Sequence, residues 1–99
     1  MKKLFLIAFF SFVSAFAQAS DSTVADRYKQ TCGLCHASGA ANAPKTANAA
    51  DWAPRLEKGM DALVLSVEKG LNAMPPKGMC MNCSAEDFRA LIVYMSAAK

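Results

Sequence analysis

The chain is predicted to be all-α, with three to five helices in one small domain. Phe88, Leu91, Ile92 and Met95 fall at i, i+3, i+4 and i+7, the stripe of a helix buried on one face. Leu63, Val64 and Val67 keep helical spacing after Asp61, and Gly70 stands where a helix terminator belongs. No segment alternates convincingly with period two, so no strand is expected.

From the N-terminus, Met1-Lys2-Lys3 gives a basic start, Leu4 to about Phe16 an apolar stretch, and Ala17-Gln18-Ala19 a small-x-small ending. This is the pattern of a secretory signal peptide over residues 1–19. Ala15-Phe16-Ala17 offers a second cleavage site two residues earlier. Ser11 and Ser14 break the run, which is short for a bilayer span of roughly 20 residues. No stable membrane anchor is expected, and the predicted location is the periplasm.

Residues 20–99 then form the folded domain. Asp21, Ser22 or Thr23 can N-cap a first helix that holds Val24 and Tyr28 and runs up to Cys32. Small, polar and proline residues between Ser38 and Ala50 read as a loop. Pro54 suits the first turn of a short helix containing Arg55 and Leu56. Asp61 opens the next helix. Ser84 caps the last one, with Glu86 and Asp87 favourable in its first turn.

Without the signal, 80 of the 99 residues remain, and the net charge falls from +3 to about +1 as Lys2 and Lys3 leave. The basic residues are not clustered, which excludes a nucleic-acid binder. So short a domain buries little surface and needs a staple such as a disulfide, a metal or another bound group. The four cysteines fall in two pairs, Cys32 with Cys35 and Cys80 with Cys83.

Cys32-Gly33-Leu34-Cys35-His36 is the attachment signature of c-type haem. Thiols three positions apart share one side of a helical turn, where each can add to one haem vinyl group. His36 follows directly and is the sole histidine, which makes it the imidazole ligand to iron. Export agrees with this chemistry, because the thiols are joined to haem outside the bacterial cytoplasm. One covalent haem c is the expected cofactor, and it would serve as the staple.

Further segments carry a family likeness: Gly39-Ala40-Ala41, Ala43-Pro44-Lys45, Trp52-Ala53-Pro54-Arg55, Lys58-Gly59-Met60, Met74-Pro75-Pro76-Lys77-Gly78 and the Cys80-x-x-Cys83 pair. In this order they resemble the cytochrome c5 group of class I cytochromes c, across essentially all of residues 20–99. The resemblance implies helices packed around one covalent haem. It also implies that the Pro44 carbonyl accepts the His36 ring N–H, and that Trp52 and Arg55 lie near the haem edge and its propionates. Met74 is the expected second axial ligand, since two following prolines hold its chain extended with little freedom to lose. Met79 and Met81 flank Cys80 more closely than the family pattern requires.

For Cys80 and Cys83 two readings stand. A fixed disulfide suits an oxidising compartment and the resemblance; a redox-active dithiol at a helix N-terminus would have a lowered thiol pKa.

The function expected is single-electron carriage, not enzymatic catalysis. By resemblance the donor is a quinol-oxidising complex or membrane cytochrome, and the acceptor an oxidase, reductase or peroxidase. Lys45, Lys58 and Lys77 are candidates for a docking rim. Two other classes compete: a zinc-binding structural module built from all four cysteines, and a thioredoxin-like thiol-disulfide oxidoreductase using Cys32 and Cys35. More than 40 residues separate the two pairs, far beyond compact zinc spacing. A thioredoxin fold needs strands around its motif, and none is expected.

Overall fold

A computed structural model describes residues 21–97, and the predicted signal, residues 1–19, lies outside them. Among the described residues five α-helices run in order: α1 (Asp21–Gln30), α2 (Gly33–His36), α3 (Ala49–Leu56), α4 (Met60–Lys69) and α5 (Ala85–Ser96). Short 3-10 turns occur at Ala40–Asn42 and Pro76–Met79. Among the described residues there is no strand, and the one β-type pairing is an isolated bridge between Leu71 and Met74.

Helix α5 organises the core. Ser84 starts it with a reciprocal cap: its hydroxyl accepts the Asp87 N–H at 3.2 Å, and the Asp87 carboxylate accepts the Ser84 N–H at 2.9 Å. Phe88, Leu91, Ile92 and Met95 are each at most 3% exposed, as the spacing predicts. This stripe packs against α1 and α4. Tyr28 on α1 meets Tyr94 on α5 with ring centroids 5.0 Å apart, and Arg27 pairs with Asp87 at 2.9 Å. The Ser84 N–H, helped by the Ser84 hydroxyl and Arg27, holds the Asp87 carboxyl below its ordinary value despite an opposing desolvation effect.

The first helix stops short of the Cys32 motif. It ends at Gln30, and a turn at Thr31-Cys32 separates it from α2, while its N-cap lies at the edge of the described residues. Gly33 allows that turn to be tight. A Cβ there would stand 2.9 Å from the Tyr28 carbonyl and 3.2 Å from its ring.

The short helix around Pro54 also starts earlier than predicted. Asn48 caps α3 by accepting the Asp51 N–H at 3.1 Å, which places Pro54 in the helix interior and not in its first turn. Only two residues follow it in α3, so the bond it cannot donate is lost near the end of the helix. The loop expected over residues 38–50 is correspondingly shorter and contains the 3-10 turn Ala40–Asn42.

Helix α4 begins at Met60 and stops at Gly70, whose φ of 83° and ψ of 153° suit glycine almost alone. From there the chain doubles back. Leu71 and Met74 exchange backbone bonds of 3.0 and 2.9 Å, and the Pro76–Met79 turn lies against α4. Cys80 and Cys83 are joined in a disulfide with Cα atoms 5.4 Å apart, both buried in the core beside Trp52 and Val64.

Candidate haem-binding site

Helix α2 and the segment after α4 face each other across an apolar cavity of about 370 Å³. Cys32, Cys35 and His36 line one side, with Ala40, Ala41 and Pro44 from the following loop. Leu71, Ala73, Met74 and Pro75 line the other, while Val67 and Met95 come from α4 and α5. The cavity therefore brings together the two free thiols, the one imidazole and the expected thioether. Cys35 is exposed and Cys32 half-buried, so both sulfurs can be approached.

The imidazole is held in one tautomer. His36 Nδ1 lies 2.8 Å from the Pro44 carbonyl oxygen, which can only accept, so the ring proton sits on Nδ1. Nε2 keeps its lone pair and is the nitrogen available to a metal.

Residues 44–47 form a strap that fixes this arrangement. Trp52 Nε1 donates to the Lys45 carbonyl at 3.0 Å, and the Lys45 N–H donates to the Asp51 carboxylate at 3.1 Å. Thr46 N–H donates to the His36 carbonyl at 2.8 Å, and Ala47 N–H to the Met95 carbonyl at 2.8 Å. Neither Thr46 nor Tyr28, which reaches it, was singled out as a site residue from the sequence. Their partners are distant in the chain, and no local pattern marks them.

Trp52 is 4% exposed and does not line the cavity. It stacks behind the His36 ring, centroids 5.9 Å apart and planes 25° from parallel. Arg55 does line the cavity, and its Nη1 donates to the Asp51 carbonyl at 2.6 Å. A second, polar hollow of about 270 Å³ shares Asn42, Pro44 and Arg55 with the first and adds Ser38, Lys45 and Asp51. Arg55 therefore stands where apolar cavity gives way to polar surface.

Among the methionines, Met74, Met79 and Met95 line the cavity, whereas Met60 and Met81 do not. Met95 is held in the α5 stripe, and Met79 is 60% exposed. Met74 is half-buried, between its bridge to Leu71 and Pro75-Pro76. Of the three lysines considered for the rim, none lines the cavity itself.

The donor set fits a c-type haem: two accessible thiols, an imidazole with a free Nε2, a thioether opposite and apolar walls between. It does not fit zinc. The disulfide removes Cys80 and Cys83 as thiolates, and no group of three or more His, Cys, Asp or Glu among the described residues could hold a metal. A thioredoxin-like arrangement is likewise unsupported, since helices precede and follow Cys32 and Cys35.

Residues 19–95 match the family described as "Cytochrome C oxidase, cbb3-type, subunit III". The chain is also 42% identical over 82 residues to cytochrome c5 of Azotobacter vinelandii, covering 81% of this chain and 94% of that protein. It belongs to the class I cytochromes c, in the cytochrome c5 group. A mono-heme ferrocytochrome c from Shewanella putrefaciens is 55% identical with a TM-score of 0.68, the match covering 77% of this chain and 94% of that one. A cytochrome c in an electron transfer complex with nitrite reductase is 43% identical with a TM-score of 0.69, covering 77% and 93%. This cytochrome is accordingly a monohaem electron carrier with one covalent haem c.

Proposed function

We propose that Cys32 and Cys35 attach the haem through thioether bonds and that His36 Nε2 and Met74 Sδ are the axial iron ligands. The observation that carries this is the single cavity onto which both thiols, the imidazole and Met74 open. Bound haem supplies the one-electron change between ferric and ferrous iron. The residues around it set the terms. Pro44 holds the imidazole proton on Nδ1 and strengthens Nε2 as a donor. Met74 offers a soft sulfur, which favours the ferrous state, raises the reduction potential and closes the sixth position to small ligands. Arg55 and Asn42 stand where cavity and polar hollow meet, and would hold the propionates there. The Cys80–Cys83 disulfide pins the distal segment to α5 and takes no part in redox exchange.

The domain, residues 20–99, works in the periplasm after loss of residues 1–19 as a signal peptide, as a carrier and not an enzyme. No helix among the described residues is long and apolar enough to cross a membrane. Its partners are redox proteins that meet the exposed apolar edge briefly. The donor is a quinol-oxidising complex or membrane cytochrome, and the acceptor an oxidase, reductase or peroxidase. The nitrite reductase complex of a structural neighbour supports an acceptor of the reductase kind.

The test is the absorption spectrum of protein made with haem-maturation machinery, oxidised and then reduced, extended into the near infrared. Sharp reduced α and β bands with a sulfur-to-iron band are expected. A folded protein with haem but no sulfur band would remove Met74 as a ligand, and a colourless one would overturn the assignment of the whole site.

A further inference from the structure

The strap has an upstream support that the haem ligands do not explain. The Tyr28 hydroxyl lies 2.7 Å from Thr46 Oγ1, and Thr46 Oγ1 donates to the His36 carbonyl at 3.2 Å. A threonine hydroxyl has one proton, and a carbonyl can only accept. With that proton spent on His36, Tyr28 must be the donor to Thr46. The chain therefore runs in one direction, from the Tyr28 O–H through the Thr46 O–H to the His36 carbonyl. The Thr46 N–H adds a second donor to the same oxygen at 2.8 Å.

Tyr28 is well placed for this. It is 8% exposed and sits between Gly33, where no side chain intervenes, and the Tyr94 ring. Packing alone would be served by phenylalanine, and the hydroxyl reaches a residue 18 positions away.

We propose that Tyr28 and Thr46 are positioning residues for the His36 imidazole. By doubly pinning the His36 carbonyl they fix the peptide that carries the ring, and so set its bond to the Pro44 carbonyl one residue-pair along the strap. The proposal rests on His36 being the axial ligand. Loosening the relay weakens the Nδ1–H bond, makes Nε2 a poorer donor and disfavours ferric iron, so the reduction potential rises.

The test uses the ferrous holoprotein. Exchange of the His36 Nδ1 proton with solvent is followed by NMR, and the potential by voltammetry, in wild type, Tyr28→Phe, Thr46→Val and Thr46→Ser. Tyr28→Phe and Thr46→Val are expected to speed exchange by roughly fivefold, the population change worth about one hydrogen bond, and to raise the potential. Thr46→Ser keeps the hydroxyl and is expected to restore both. Variants that merely melt earlier, with exchange and potential unchanged, would overturn the relay and leave a structural role. A wild type whose His36 ring signals sit at ordinary free-histidine positions would remove His36 from the iron, and that outcome appears before any variant is compared.

Discussion

Gly70 lies directly beneath the Met74 carbonyl: a Cβ at position 70 would stand 2.9 Å from that oxygen and 3.0 Å from the Pro76 nitrogen. The glycine that ends α4 is therefore also the floor on which the Met74 segment rests. Its backbone angles add a second reason for glycine, because side-chain-bearing residues avoid that region.

Gly70→Ala is expected to destabilise the protein by about 2 kcal/mol or more, combining backbone strain of roughly 1–3 kcal/mol with the close contact. It should also displace Met74. Denaturant unfolding would read the first effect, and weakening of the sulfur-to-iron band the second. A stable variant with an unaltered band would show that the segment can shift without cost.

Met74→Ala is expected to lower the reduction potential by on the order of 0.1 V or more, a fraction of the roughly 0.8 V that axial ligation spans. Voltammetry decides it. An unchanged potential would move the ligand to Met79 or Met95, the other two methionines on the cavity wall.

Replacing Cys80 and Cys83 together by serine is expected to leave haem attached while lowering the melting temperature. A small loop such as this one contributes about 2 kcal/mol by closure entropy. The serines would also sit in a buried position, adding to the loss. Lost electron transfer with unchanged melting would instead mark the pair as a working dithiol.

Asp87 predicts a pH dependence with a definite sign. Its folded pKa lies below the ordinary value of 3.8, so the stability it adds is complete above that value. That contribution is lost as pH falls through the lowered folded value. Thermal melts of wild type and Asp87→Asn should therefore converge in strong acid and separate toward neutrality. Parallel curves would show that Ser84 and Arg27 contribute nothing through the charge.

What the sequence made legible was local. Phe88 to Met95 declare a buried helical face by spacing alone, Ser84 declares its cap, and Cys32 to His36 stand within a single turn. Pro54 was misplaced for a related reason: Asn48 and Asp51 form the cap, but they sit in a stretch whose small residues read as loop. The place of Trp52 behind the imidazole depends on a strap reached through tertiary contacts, which no local pattern announces. The same holds for Tyr28 and Thr46, 18 residues apart and joined by one hydroxyl bond. The bridge from Leu71 to Met74 was invisible because it involves two residues and no periodicity.

The strap at residues 44–47 is bonded to side chains or backbone of α1, α2, α3 and α5, whereas α4 is held by apolar packing through Leu63, Val64 and Val67 and by one exposed ion pair, Asp61 with Arg89 of α5. The molecule therefore has a braced half and a hung half. His36 belongs to the first, and Met74, suspended from the end of α4, to the second. Heat should take them in that order of weakness, with the sulfur-to-iron band fading while the imidazole is still bound. With Met74 as the proposed ligand, the first thing expected to fail in this architecture is its bond to iron, well before the fold.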